Sequence, residues 1–266
     1  MDNINPKLYE NYKILKELSS KENTWLIVAV DKNNQMVVLK FIENLDKSNR
    51  FIMDDNLNKY IPREYFFLKL LSSVNFVPRL IDFYSDSKWN LVVMEYLDKD
   101  WIDLYFYSEE DSSERSLKII LKNFINLIYK LSKMNLYQCD IKPENIMINR
   151  SSLEVKLIDF EDFFFVESGI MNIDLTKNGT IGYKSPESYL NEAFLIKQSQ
   201  VFNIGCLLYV CLEGNFPYSG DLKSFDKLPR MKRSTKAAMN FMKKCFVRNP
   251  NERISFHCLL NDEWFQ

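Results

Sequence analysis

At 266 residues and 46% apolar composition, the chain can bury one large domain or two modest lobes, which excludes the fibrous and disordered classes. Lys and Arg total 35 against 36 Asp and Glu, and a formal charge of −1 removes the electrostatic case for a nucleic-acid partner or a membrane surface. The polar start, the short apolar run at 201–212 and five cysteines without paired spacing beside one histidine lead us to expect no leader, membrane span, disulfide or structural zinc; a cytoplasmic or other intracellular reducing compartment fits.

In chain order, residues 12–18, 25–30 and 36–42 read as three consecutive strands, with Asp31-Lys32-Asn33-Asn34 as the turn between the last two. A helix is predicted over 62–71, with Pro62 in its first turn and Phe66, Phe67, Leu70 and Leu71 as its apolar stripe. Strands follow at 79–84 and 91–96. Residues 116–134 then keep helical spacing, with Ile119, Ile120, Phe124, Leu127, Ile128 and Leu131 on one side. Short strand-like pieces return at 146–148 and 155–158, and beyond about 185 the pattern is helical, with 201–212 as a buried helix. The expected architecture is α+β, with a sheet-rich first lobe over about 8–97, hinged near Leu97, and a helix-rich second lobe over about 98–266.

The chemistry concentrates in Asp140-Ile141-Lys142-Pro143-Glu144-Asn145 and in Asp159. An Asp and an Asn five residues apart on a loop leaving a long helix can serve one metal–phosphate site, and Lys142 between them adds positive charge. Asp159, at the end of a strand, brings the second hard oxygen ligand that a divalent cation requires. Taken singly, each of these residues could merely cap a turn. The set, in this order and spacing, points to phosphoryl transfer.

Tyr137-Gln138-Cys139-Asp140-Ile141-Lys142-Pro143-Glu144-Asn145 resembles the catalytic loop of eukaryotic-type protein kinases, and Asp159-Phe160-Glu161 resembles their metal-binding tripeptide. Further resemblances fall in order. Val37-Val38-Leu39-Lys40 is similar to the third-strand lysine motif, with Glu64 as ion-pair partner, and Leu91 to Leu97 resembles the fifth strand and hinge. Gly179-Thr180-Ile181-Gly182-Tyr183-Lys184-Ser185-Pro186-Glu187 resembles the end of the activation segment, and Arg253 the late arginine that pairs with its glutamate. Ile61-Pro62-Arg63-Glu64, Leu157-Ile158-Asp159-Phe160 and Gln200 to Gly205 resemble the calmodulin-kinase group and its PIM-like branch.

The resemblance implies a bilobal fold: a small antiparallel sheet with one helix, then a larger, mainly helical lobe. It also implies ATP with Mg²⁺ or Mn²⁺ as cofactors and a serine/threonine protein substrate. Asp140 would take the proton of the acceptor hydroxyl and Lys142 would stabilise the γ-phosphoryl. Lys40, positioned by Glu64, would hold the α- and β-phosphates, and Asn145 and Asp159 would bind the metal. Backbone groups of Glu95 and Leu97 would read adenine, with Val38 and Met147 completing the nucleotide-binding set. Acids after the hinge (Asp98, Asp100, Asp103, Glu109, Glu110, Asp111) and Glu144 suit a basic stretch beside the acceptor, although a solvated helix face is the plainer reading.

Several positions depart from the family pattern. Ser19-Ser20-Lys21-Glu22-Asn23-Thr24 stands where G-x-G-x-x-G would cover the phosphates, and all six glycines lie at 169 or later. Glu22 would repel phosphate if it pointed inward, and Lys21 could contact it or remain solvated. Glu161 replaces the hinge glycine after Phe160, and would be either a further ligand or a surface group. Gln138-Cys139 replaces His-Arg, so phosphorylation of Thr176 or Thr180 would lack its usual arginine. Gln200 replaces the acid expected beneath the loop, and Val38 narrows the roof of the adenine pocket. Three readings follow: an active atypical kinase, a pseudokinase scaffold or decoy, and a kinase-like small-molecule phosphotransferase, which Asp159–Asp162 suggests and Lys142 opposes. His257 and the cysteines read as non-catalytic.

Overall fold

Alternation of apolar residues builds the first half. Ile27, Ala29, Val37, Leu39, Phe41, Leu91 and Val93 point to one face and form a core with Trp89 and Ile4, against which Trp25 packs with its ring 4.7 Å from that of Trp89. In a computed structural model these strands are β1 (Lys13–Lys21), β2 (Thr24–Val30), β3 (Met36–Glu43), β6 (Leu80–Ser85) and β7 (Trp89–Glu95). They form one antiparallel sheet in the order β1-β2-β3-β7-β6. The model describes residues 4, 6–21, 23–44, 50–54, 57–171, 179–190 and 193–266. Glu22 and Thr176, both weighed above, lie outside them. The β2–β3 turn closes as the sequence suggests: the Asp31 carboxylate accepts from the N–H groups of Asn33 and Gln35 at 2.8 Å, and Asn34 is left-handed at φ 60°.

Between β3 and α1 (Arg63–Leu70) lies a hairpin that the sequence reading missed, β4 (Phe51–Asp54) with β5 (Lys59–Pro62), in register Phe51 to Pro62. Pro62 therefore ends a strand instead of opening the helix. The buried face of α1 also differs from the predicted stripe. It consists of Glu64, Phe67 and Leu68, continued by Leu71, while Leu70 is exposed. A charged residue on the inner face defeats an apolar-stripe reading.

The second half holds β8 (Trp101–Asp103), α2 (Leu104–Glu110), α3 (Glu114–Lys133), β9 (Leu136–Gln138), β10 (Ile146–Asn149), β11 (Val155–Leu157), β12 (Phe163–Phe165), β13 (Ile170–Met171), β14 (Phe194–Leu195), α4 (Ile196–Glu213) and α5 (Lys236–Cys245). α3 buries Ile120, Phe124, Leu127, Ile128 and Leu131 as predicted, together with Leu117, Leu121 and Ile125; Ile119 faces solvent. Its start is capped by Ser113, whose hydroxyl accepts from Ser116 N–H. α4 is buried almost all round and ends on the left-handed Gly214. Gly205 sits at the close approach of α4 to α5, where a Cβ would lie 2.7 Å from that of Cys245. The α4 and α5 thiols are packing groups. Burial pushes the Cys211 thiol up to about 12 and those of Cys206 and Cys245 upward as well.

Contacts divide the chain into two units: residues 1–99 with 156–161, and residues 100–155 with 162–266. The first thus regains a short segment ending at Glu161, which a single break after Leu97 would assign to the second. No helix among the described residues is long and apolar enough to cross a membrane.

Candidate active site

In the first unit, β3 carries Lys40 and α1 carries Glu64, both buried, with Nζ donating to Oε2 at 2.9 Å. The same Glu64 oxygen accepts from the N–H of Phe160 at 3.2 Å, and Asp159 Oδ1 lies 3.8 Å from Lys40 Nζ. One buried carboxylate therefore orients the lysine and fixes the backbone that presents Asp159. Burial pulls the Lys40 ammonium down, but Glu64, Asp159 and Glu161 outweigh it and leave its pKa raised, so the lysine stays charged. Asp159 is held left-handed at φ 68°, a conformation that costs a non-glycine residue roughly 1–2 kcal/mol. Nothing in the sequence marks this conformation, since no glycine stands at the position.

Glu161 meets an arginine. Its carboxylate lies 3.2 Å from Nε of Arg50, and Arg50 Nη1 donates to Thr24 Oγ1 at 2.8 Å. No group of three or more His, Cys, Asp or Glu able to hold a metal occurs among the described residues. At the glycine-free loop β1 runs to Lys21 and β2 starts at Thr24, with Lys21 paired to Thr24. Lys21 is exposed. Near the expected hinge, Glu95 accepts from Lys156 Nζ at 2.8 Å through both oxygens and from the N–H of Arg79 at 2.9 Å. Val38 is buried on β3 opposite Val28 and Met94, and Leu97 is half-buried.

In the second unit, Asp140, Lys142 and Asn145 meet on one loop. Lys142 Nζ pairs with Asp140 Oδ2, and Asn145 Nδ2 donates to the Asp140 carbonyl at 3.0 Å and to its Oδ2 at 3.3 Å. That commits the Asn145 amide nitrogen to the loop and turns its Oδ1 into the acceptor a hard cation would use. Thr180 joins them, donating to Asp140 Oδ1 at 2.7 Å and accepting from Lys142 Nζ at 3.0 Å. Gly179 permits this approach, because at φ 75° a Cβ would meet the Cys139 carbonyl at 3.1 Å. Met147, half-buried on β10, pairs with Asp103.

The substituted loop positions hold this arrangement from below. Gln138 Oε1 accepts from the N–H of Asp140 at 3.1 Å, and Gln200 Nε2 donates to the Gln138 carbonyl at 3.1 Å. Two neutral amides thus brace the loop. Farther on, the Arg253 guanidinium binds both Glu187 oxygens, at 2.7 and 3.0 Å, as the sequence led us to expect. Arg50 and Gln138 were missed as functional supports: Arg50 belongs to no motif, and Gln138 was read only as a loss.

A model of the protein kinase domain matches residues 24–265. Relatives include the serine/threonine-protein kinase prk-2 of Caenorhabditis elegans, 27% identical over 97% of this chain and 59% of its own length. The carbon catabolite-derepressing protein kinase of Saccharomyces cerevisiae is 24% identical over 96% of this chain and 40% of its own. The serine/threonine-protein kinase tousled-like 1 of Mus musculus is 25% identical over 97% and 37%. The chain therefore spans less than two thirds of the length of these relatives.

Proposed function

The chain belongs to the protein kinase domain family, and on that premise we propose that it transfers the γ-phosphate of ATP to serine or threonine hydroxyls of a protein substrate. The observation that carries this reading is the Asp140–Lys142–Thr180 set, where a carboxylate able to take a hydroxyl proton is held beside a cation able to stabilise phosphoryl charge. Lys40, oriented by Glu64, binds the α- and β-phosphates, and backbone groups of Glu95 and Leu97 hold adenine beside Val38 in the first unit. Asp159 and Asn145 are the groups that would hold Mg²⁺ or Mn²⁺, which neutralises phosphate charge when bound. Their donor atoms suit a hard cation, since both offer oxygen.

A basic residue near the acceptor fits the second unit. Glu109 and Glu144 are exposed, and both act on the Tyr105 hydroxyl, raising its pKa. Activity independent of Thr180 phosphorylation follows from the engagement of that hydroxyl with Asp140 and Lys142.

The test is transfer of labelled γ-phosphate to serine- and threonine-containing basic peptides with Mg²⁺ or Mn²⁺, comparing the protein with Asp159→Asn. Turnover is expected to fall by at least about 100-fold in the variant. Equal incorporation by both proteins would sink the assignment. Thermal stabilisation by ATP and metal without transfer from either would favour a nucleotide-binding scaffold instead.

A further inference from the structure

Two of the departures from the family pattern meet on one side chain. Thr24 stands at the last position of the glycine-free loop and Glu161 at the position of the hinge glycine, and Arg50 contacts both, through Nη1 and Nε respectively. The arginine is placed by backbone as well. It precedes β4, and its carbonyl accepts from the N–H of Arg63 at 2.8 Å, one residue before Glu64. Its side chain is 30% exposed and that of Glu161 26%, so the pair is open to solvent on one side. Nη2 makes no hydrogen bond to any described residue.

Charge sharpens the placement. The Glu161 N–H donates to Asp159 Oδ1 at 3.3 Å, and that oxygen lies 3.8 Å from Lys40 Nζ, so the Arg50–Glu161 pair lies beside the Lys40–Asp159 group. Among the described residues two cations there, Lys40 and Arg50, face three carboxylates, Glu64, Asp159 and Glu161. Without Arg50 that balance would oppose a polyphosphate, and no glycine amides remain in the loop to offset it. A guanidinium is the side chain best shaped to replace several amide donors toward phosphate oxygens.

We propose that Arg50 is a phosphate-binding residue of the nucleotide site, positioned by Thr24 and charge-balanced by Glu161, and that it takes over the recognition of the terminal phosphates lost with the loop glycines. This rests on the reading of the site as ATP-binding. Thr24 is then a positioning residue that fixes the fork, and Glu161 is the resting partner of Arg50 that phosphate displaces.

The experiment is calorimetric titration of the full chain with ATP, ADP and AMP in Mg²⁺, comparing wild type, Arg50→Ala, Arg50→Gln and Glu161→Ala. Arg50→Ala and Arg50→Gln are expected to weaken ATP by about 10–100-fold, the value of one or two charged hydrogen bonds. ADP should lose less and AMP almost nothing. Glu161→Ala should bind ATP as tightly as wild type or more tightly. Arg50→Gln retains a donor for Thr24 without the charge, and it decides the matter should Arg50→Ala fail to fold. Equal losses for ATP and AMP, unchanged ATP affinity in both Arg50 variants, or an equal loss in Glu161→Ala would each overturn the role. Wild type that binds no ATP would overturn the ATP-site reading itself, a different result from binding that ignores Arg50.

Discussion

Two arginine–glutamate pairs in this chain have the same chemistry and opposite settings. Arg253 and Glu187, in the second unit, are enclosed, with side-chain exposures of 0% and 9%. The guanidinium binds both carboxylate oxygens, donates to the carbonyls of Val247, Gln198 and Arg248, and lies 5.1 Å from the Phe202 ring centre. Arg50 and Glu161, in the first unit, share one contact in a partly open setting. An enclosed pair with its donors used up has nothing left to offer a ligand; its work is to fix the end of the activation segment to the helices beneath. A partly open pair whose arginine keeps one nitrogen unbonded to any described residue contributes little to the fold, and on the proposal above it is available to a phosphate. Burial and satisfaction, more than residue identity, separate the two roles.

The comparison breaks most easily at Arg253. Arg253→Ala would leave Glu187 as a buried, uncompensated carboxylate and several carbonyls without donors, and is expected to cost about 3–5 kcal/mol in urea unfolding. A loss below about 1 kcal/mol would mean that the enclosed pair is no more structural than the open one. The next effect tests whether packing alone, in the same unit and without charge, matters comparably. Gly205→Ala forces a methyl group against Cys245 Cβ at 2.7 Å and Phe246 at 3.0 Å, and should destabilise by roughly 1–3 kcal/mol in the same assay. Wild-type stability in that variant would show that α4 and α5 can part without cost.

The contrast also marks how far the sequence could be read. The strands of the main sheet were legible because residues such as Ile27, Ala29, Val37, Leu39 and Phe41 alternate and bury one face. Asp140, Lys142 and Asn145 were legible as a set because they carry their chemistry at a fixed spacing, and the Arg253–Glu187 pair was legible through its resemblance to the family pattern. β4 and β5 were not, being four residues each and partly exposed. α1 was read with the wrong inner face because Glu64, a charged residue, occupies it to meet Lys40. The missing loop glycines could be seen, but not Arg50, whose contacts with Thr24 and Glu161 span 26 and 111 positions and exist only once the sheet, the hairpin and the Asp159 segment have formed. Losses show in a sequence, whereas compensations that depend on tertiary contact do not.

The smallest expected effect is the most discriminating. Arg50→Ala without nucleotide should cost less than about 1 kcal/mol of stability, the value of a part-exposed ion pair, and that cost should shrink as salt is raised. Coupled to the ATP titration, this gives a residue whose removal is nearly silent in the free protein and large with a polyphosphate bound, the reverse of what Arg253 should show. Loss of several kcal/mol from the free protein would place Arg50 with Arg253 as a structural residue. The difference between the two pairs would then lie in how much surface covers them, and not in what they do. A silent free protein would instead locate the rebuilt nucleotide cover in a side chain that the fold itself does not need.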